Sequence, residues 1–197
     1  MYFGGQGDLR GYDYLQFVGQ NVLYANAELR FPIIEAALTP IGVVGGIRGV
    51  FYGGIGAAWF SNQQAANPCS GETSGFRFMN SNTTNCQIVT GVKTDNLGNV
   101  VLSTDKTTGL QTPVLTYSNK TISGFRLQDG RASYGVGLET FILGFPLHFD
   151  WSWRTLFNKD WEDAVFSCVD TTTAGQCISG ANDFRKPRFA VWIGYDF

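Results

Sequence analysis

Three polar residues in the segment "FPLHFDWSWR" have the side-chain types that a nucleophilic hydrolase uses. His148, Asp150 and Ser152 occupy every second position, so on a strand they would point to the same side. A catalytic triad requires the base to reach its nucleophile within about 3 Å, which in-line neighbours on one strand do not do. We therefore expect no enzyme activity, and we interpret His148 as a hydrogen-bonded polar residue.

The residues available for metal or cofactor chemistry are sparse. His148 is the only histidine, and the four cysteines lack the CxxC spacing of zinc or redox sites. They form two sequence-local pairs in stretches rich in Ser, Thr, Asn and Gly, Cys69 with Cys86 and Cys168 with Cys177. We predict two disulfides and an oxidising compartment, with free thiols as the alternative, and we expect no metal and no cofactor.

An arginine in the opening segment "GGQGDLRGYDY" is the remaining candidate. Arg10 lies among glycines and aromatic residues, just before an alternating segment. Such a loop can be a solvated turn, a phosphate cradle, or a plug that carries one buried charge to a fixed partner. The glycines do not satisfy GxGxxG between a strand and a helix, so nucleotide binding finds no support.

Composition favours an all-β protein. The 197 residues include 25 Gly and 15% aromatic residues, only 15% are charged, and the net charge is -2. This balance does not favour nucleic acid as a partner. No run of about 18 apolar residues is present, which excludes a transmembrane helix. A basic segment followed by an apolar run is also missing at the N-terminus, so we expect no signal peptide among these residues.

Five segments alternate with the period of two that is typical of strands. They cover 21–31, 46–59, 132–142, 145–154 and 188–197. In every one of them the charged residues lie on the face opposite the apolar residues. Among these charged residues are Glu28, Arg30, Arg48, Glu139, Asp150, Arg154 and Asp196.

A soluble β-sandwich or a lipocalin-like binder would show the same alternation, with its apolar side packed inside. Three features favour a transmembrane β-barrel instead. The apolar faces carry aromatic residues toward the strand ends, and the opposite faces are rich in Gly and polar residues. The connections 61–130 and 156–186 are long and polar, whereas "LG" and "PIIEAALTPIGVVG" are short or moderate connections. We predict extracellular loops at 61–130 and 156–186, and strands of about ten residues, long enough to cross a bilayer when tilted.

The first of these long loops is expected to contain its own strands, because long structureless loops are uncommon. "CQIVTGVKT" and "NVVLSTD" flank "DNLG" and predict one hairpin. "PVLTYSN" and "TISGFRLQ" predict another.

The motifs "GGQGDLRGY", "NVLYANAELRFPI", "IRGVFYGGIGAAWF", "RASYGVGLETFILGFPLHFDWSW" and the terminal "GYDF" resemble, in this order, the C-terminal end of the BamA/TamA (bacterial surface antigen) family. Members of that family are sixteen-stranded outer-membrane barrels preceded by periplasmic POTRA repeats. The resemblance implies that residues 1–197 form the C-terminal segment of such a barrel. Residues 1–20 would be its inward-folding loop, followed by the last five strands, and the partners would include the missing N-terminal strands.

The resemblance also implies a role for Arg10. In the family the loop arginine reaches into the barrel and pairs with carboxylates of the following strands. The loop motif is Leu9, Arg10, Gly11 and Tyr12 here, and the first acceptor is Glu28. The second family acceptor, an aspartate, aligns with Gly54, so Glu139 is the candidate substitute. The alternative is that Arg10 lies in a solvated turn and Glu28 pairs only with its neighbours.

The end of the chain resembles the terminal-strand signal that assembly machinery reads by strand addition. The residues of this signal would be Ile193, Tyr195 and Phe197, on the strand that forms one side of the family's lateral seam. The implied function is assembly, insertion or translocation of outer-membrane proteins in the bacterial outer membrane, with the lipid bilayer and other outer-membrane proteins as partners. The alternative is a barrel that anchors a larger surface protein or forms a pore.

Overall fold

The computed structural model describes residues 1–5, 7–39, 42–60, 77–80, 82–106, 109–128, 130–142, 145–172 and 175–194. Strands dominate this part of the chain, and the helices in it are short. The strands are β1 (Tyr2–Phe3), β2 (Phe17–Val18), β3 (Asn21–Thr39), β4 (Gly42–Trp59), β5 (Arg77–Met79), β6 (Thr83–Val92), β7 (Leu102–Thr104), β8 (Gln111–Pro113), β9 (Leu115–Ile122), β10 (Arg126–Gln128), β11 (Arg131–Ile142), β12 (Phe145–Thr155), β13 (Asp170–Thr171), β14 (Cys177–Ile178) and β15 (Arg188–Ile193). The helices are α1 (Lys159–Val165) and α2 (Ala181–Arg185).

The five predicted strand segments form one antiparallel sheet in the order β15-β12-β11-β4-β3. Neighbours in the sheet are also neighbours along the chain once the long loops are set aside, which is the simplest antiparallel arrangement. The prediction of an all-β chain of antiparallel strands is confirmed.

The stretch that was predicted as a connection between the first two of these strands is itself mostly strand. β3 continues to Thr39 and β4 begins at Gly42, with Ala36 opposite Gly45 and Leu38 opposite Val43. The register shifts between Pro32 and Ile34. Proline lacks an N–H and is tolerated at such irregularities and on edge strands, so Pro32 interrupts the ladder without ending the strand.

The two faces of the sheet differ in exposure, and the large apolar side chains are the exposed ones. Leu29, Phe51, Val136, Trp151 and Phe189 lie side by side across the five strands. All five are exposed, from 65% for Leu29 to 36% for Trp151. On the opposite face the polar side chains are buried, among them Ser152, Glu139 and Asp150, of which Asp150 is only 1% exposed. Large apolar side chains are therefore exposed on one face, whereas on the other face Glu139, Asp150 and Ser152 are buried and Arg30 and Arg48 are exposed.

The chain divides into two compact units. The first comprises 1–62, 129–155 and 185–197 and contains the large sheet; the second comprises 63–128 and 156–184. The second unit has an apolar core that includes Ile122, Leu127, Leu156 and Trp161, all nearly inaccessible to solvent. Its strands pair as β6 with β9, β7 with β8, β5 with β10 and β13 with β14.

Of the two hairpins predicted in the long loop, the first is present only beside its turn, where Thr94 pairs with Val100 and the Val101 N–H donates to the Lys93 carbonyl, and the second is wrong. The turn at "DNLG" is present, since Asp95 accepts hydrogen bonds from the backbone of Leu97 and Asn99, and these bonds, led by that from Asn99, lower the Asp95 pKa. However, β6 pairs with β9 across the whole intervening segment, and β7 pairs with β8. β9 and β10 pair with β6 and β5 rather than with each other. A short turn signal identifies a bend but does not determine the partner of the longer strand beside it.

Helix α1 is stabilised at its start by Asn158, whose side chain accepts a hydrogen bond of 3.0 Å from the Trp161 backbone N–H. The indole of Trp161 donates to the Leu127 carbonyl, and Glu162 accepts from the Leu156 backbone. These bonds tie the helix to the core of the second unit. No helix in the described ranges is long and apolar enough to span a membrane.

The disulfide predicted between Cys168 and Cys177 is present. Cys86 is fully buried and also disulfide-bonded. Its predicted partner Cys69 lies outside the described residues.

Candidate functional site

The N-terminal loop places the motif of Leu9, Arg10, Gly11 and Tyr12 against the charged face of the sheet. β1 pairs with β2, and the Met1 nitrogen donates to the Gly19 carbonyl at 2.7 Å, which closes the loop. The Leu9 N–H donates to the Gly5 carbonyl and forms a tight inner turn. All four motif residues are buried.

A side chain would crowd its neighbours at two glycines where the loop meets the sheet. Gly11 has φ +87°, and a Cβ there would lie 2.8 Å from the Cβ of Ser152 on β12. Gly54 on β4 is the position that aligns with the second family carboxylate. A Cβ at Gly54 would collide with the Asn26 side chain and with Leu9 Cδ1. Leu9 therefore occupies the space that an aspartate at position 54 would need.

Arg10 is held by two carboxylates. Its Nη2 donates to Glu28 Oε1 on β3 at 2.5 Å, and its Nη1 lies 3.4 Å from Asp150 Oδ1 on β12. The contact with Glu28 is the one predicted from the sequence. A planar guanidinium suits two carboxylates approached from different sides, because it presents separate donors to each.

Aromatic rings complete the surroundings of Arg10. The guanidinium carbon lies 4.5 Å from the centre of the Tyr52 ring and 5.6 Å from that of Trp192. Both distances are within the range of cation–π attraction, which strengthens when the cation is desolvated. Tyr52 in turn shares a hydrogen bond of 2.7 Å with Ser152 Oγ.

The second carboxylate was assigned incorrectly. Glu139 lies beside Arg30 and Arg48, at 3.8 and 4.0 Å. The carboxylate beside Arg10 is that of Asp150. The reason is the register: Glu139 pairs with Arg48 on β4, whereas Asp150 pairs with Gly137. Gly137 has no side chain, and a Cβ there would collide with Asp150 Oδ1. The Asp150 carboxylate thus extends over this glycine.

Glu28 joins Arg10 to a second arginine. Its Oε2 accepts from Arg30 Nε and Nη2 at 3.1 and 2.7 Å. Arg30, Arg48 and Glu139 continue the alternation of charge on the same face. Arg10, Glu28, Arg30, Glu139 and Arg48 thus form one chain of alternating charges.

The three residues considered for nucleophilic catalysis have separate partners. His148 Nε2 lies 3.0 Å from the Gly194 carbonyl, and its ring stacks on Trp192 with centres 3.8 Å apart. Ser152 is bonded to Tyr52, and Asp150 to Arg10 and Trp192. Each side chain is engaged in holding the loop or the last strand.

The space beside Arg10 is small. A cavity of about 20 Å³ is lined by Arg10, Glu28, Tyr52 and Ser133, which is room for about one water molecule. Within the described part of the chain, no cluster of His, Cys, Asp and Glu side chains could hold a metal ion.

The terminal strand β15 pairs with β12 from Arg188 to Ile193. Ile193 is on its exposed apolar side. The other two residues of the predicted terminal signal, Tyr195 and Phe197, lie outside the described residues.

Asp150, Tyr52 and Trp192 contact Arg10, and sequence reasoning did not assign them to it. The period count had placed all three on the same face as Glu28, which was the available signal. The aligned family pattern directed attention to position 54 instead. The strand register needed to choose among the carboxylates of that face is not visible in the sequence.

Comparison with models of known protein families, with curated proteins and with solved structures finds no match for this chain.

Proposed function

We propose that the chain is the C-terminal portion of an outer-membrane β-barrel of the BamA/TamA type, which acts in the assembly, insertion or translocation of outer-membrane proteins. Its role is non-catalytic. Its partners are the lipid bilayer, the N-terminal strands of the same barrel and other outer-membrane proteins. The proposed location is the bacterial outer membrane.

One observation carries the membrane part of this proposal. One face of the sheet exposes large apolar side chains while Arg10, Glu139 and Asp150 are buried on the other, the reverse of an antiparallel sheet that packs its apolar side on a core. Exposed contiguous apolar surface indicates contact with a membrane or a partner. A face that alternates apolar-out and polar-in is the pattern of barrel strands.

The buried Arg10 supports the more specific part of the proposal, that the barrel is of the BamA/TamA type. A charge taken out of water is costly unless it is paired and hydrogen-bonded, and Arg10 has two carboxylates and two rings around it. The same loop motif, position and first acceptor are what the family resemblance implies. A solvated turn would need none of these partners.

The location is tested by fractionating cells that produce the full-length protein. We expect it in the outer-membrane fraction, resistant to extraction with urea or carbonate. Recovery as a detergent-free, monodisperse soluble protein would contradict the membrane part of the proposal.

The role is tested by depleting the protein and quantifying other outer-membrane barrel proteins. We expect their abundance to fall, and we expect Arg10→Ala to restore it less well than the wild type. Leu97→Ala is the matched control, since Leu97 is an exposed residue of the second unit. Unchanged abundance with intact localisation would contradict assembly and favour the anchoring alternative.

A further inference from the structure

The carboxylate of Asp150 connects two parts of the first unit that are far apart in the chain. Its Oδ1 lies 3.4 Å from Arg10 Nη1 in the N-terminal loop, and its Oδ2 accepts a hydrogen bond of 2.7 Å from Trp192 Nε1 in the terminal strand. Asp150 is almost completely buried. A buried carboxylate needs both oxygens satisfied, so each partner helps to hold the other.

Trp192 also contacts the loop directly. Its ring lies 5.6 Å from the guanidinium carbon of Arg10 and stacks on His148 at an interplanar angle of 5°. The indole is therefore enclosed by the arginine on one side and the histidine on another. His148 reaches further along the strand, to the carbonyl of Gly194.

In the described part of the chain, the terminal strand has two further side-chain attachments: Arg188 donates to Asp13 of the loop at 2.8 Å, and the Phe189 ring packs on Trp151. β15 is six residues long and pairs with β12. Its alternate side chains Phe189, Val191 and Ile193 are exposed. The side chains on the inward side of β15, Trp192 above all, therefore do much to hold this strand in position.

We propose that Asp150 and Trp192 are positioning residues that couple the N-terminal loop to the terminal strand. When Arg10 is seated, Asp150 is fixed and Trp192 is held against the sheet. When Arg10 leaves, Asp150 loses its cation and Trp192 loses a ring contact, so β15 loosens. The functional consequence rests on the proposed function: the loop would regulate how readily this strand separates at the edge of the sheet.

Hydrogen exchange of the full-length protein in lipid nanodiscs measures this coupling. We expect Arg10→Ala to accelerate exchange of the amides of 188–194 by roughly tenfold or more, because local opening reports the loss of contacts that hold the strand. Coupling between two sites is reciprocal. Trp192→Phe, which keeps a ring but removes the N–H, is therefore expected to accelerate exchange at residues 8–12.

Two further variants separate coupling from general damage. Glu28→Gln weakens the hold of β3 on Arg10, so exchange is expected to rise in the loop and, by a smaller factor than with Arg10→Ala, at 188–194. Arg48→Ala removes another arginine of the charged face, one that contacts Glu139 and the Phe141 ring. It is expected to change neither the loop nor β15.

The proposal is overturned if Arg10→Ala accelerates exchange in the loop and leaves 188–194 unchanged, or if Trp192→Phe has no effect on residues 8–12. Should Arg10→Ala fail to fold, Arg10→Lys and Trp192→Phe provide the same two readouts with smaller changes. Exchange can be measured whether or not the protein assembles others. Failure of the coupling and failure of the proposed function are thus separate results.

Discussion

The large sheet and the second unit bury opposite kinds of side chain. In the second unit Trp161, Leu127 and Leu156 are enclosed, as in an ordinary water-soluble domain. In the sheet, Asp150 and Ser152 are enclosed while Leu29 and Phe189 are open. One chain therefore contains two regions that are built for different surroundings.

The second unit also buries charged side chains, among them Arg126 and Glu162, and the contrast between Arg126 and Arg10 is informative. Arg126 lies with its guanidinium carbon 5.5 Å from the Trp161 ring and donates to the Gly124 carbonyl. Burial lowers the pKa of Arg126 below its ordinary value. Arg10, in contrast, lies between two carboxylates. The position of Arg10 is consistent with a loop held by ion pairs, whereas Arg126 lies over the apolar core.

The largest effect is expected from Trp161→Ala. It removes the largest buried side chain of the second unit and should destabilise that unit by about 3–5 kcal/mol. Denaturant unfolding, followed by exchange of the amides of 115–128, measures the loss. Leu97→Ala, at a side chain that is 87% exposed, is the control. A loss below about 1 kcal/mol for Trp161→Ala would contradict the assignment of this core.

A charge on the apolar face of the sheet should have the next largest effect. Val136 lies on β11, between Phe51 and Trp151. In a bilayer, Val136→Arg is expected to cost about 2–4 kcal/mol if this position lies near the midplane. Leu97→Arg in the second unit should change stability by less than about 0.5 kcal/mol. Refolding into lipid vesicles measures the change in stability for both variants. Equal losses would contradict the proposed difference between the two regions.

Replacing Cys168 and Cys177 together by serine should destabilise the second unit by about 2–3 kcal/mol, because the closed loop is short. Exchange at 168–178 should rise, while the sheet should keep the protection of the wild type. A comparable loss of protection in β11 would show that the two units do not unfold separately.

The smallest effect is expected from Asn158→Ala. It removes the side chain that caps α1, at a cost of about 1 kcal/mol. Thermal unfolding of the second unit measures the change. Asn158→Asp, which keeps an acceptor at the start of the helix, should restore most of the stability, and a failure to do so would contradict capping as the cause.

Alternation along the strands was sufficient to predict which side chains share a face, because a period of two is a local property of the backbone. The pairing of Arg10 with Glu28 was implied by the family resemblance, and the alternation independently placed Glu28 on the charged face. The role of Asp150 could not be predicted, because it depends on the pairing of Asp150 with Gly137 and on the depth at which the loop rests. Both are properties of the assembled sheet.

The second unit was less predictable for a similar reason. The turn beside Asp95 has a strong local signal, and it was found. The pairing of β6 with β9 joins residues that lie on either side of β7 and β8. Such long-range pairing leaves no periodic pattern in the sequence. Extension of β3 beyond Pro32 was missed because proline usually signals the end of a strand.

The most direct test of the central claim is to measure whether lipid or water contacts the apolar face of the sheet. Spin labels are introduced at Leu29→Cys, Val136→Cys and Val191→Cys in the full-length protein in lipid vesicles, with Leu97→Cys as the aqueous control. The account predicts that labels at the three sheet positions collide more often with oxygen, which concentrates in lipid, than with a water-soluble nickel complex, and that Leu97→Cys shows the reverse. Preferential collision with the nickel complex at all four positions would contradict it.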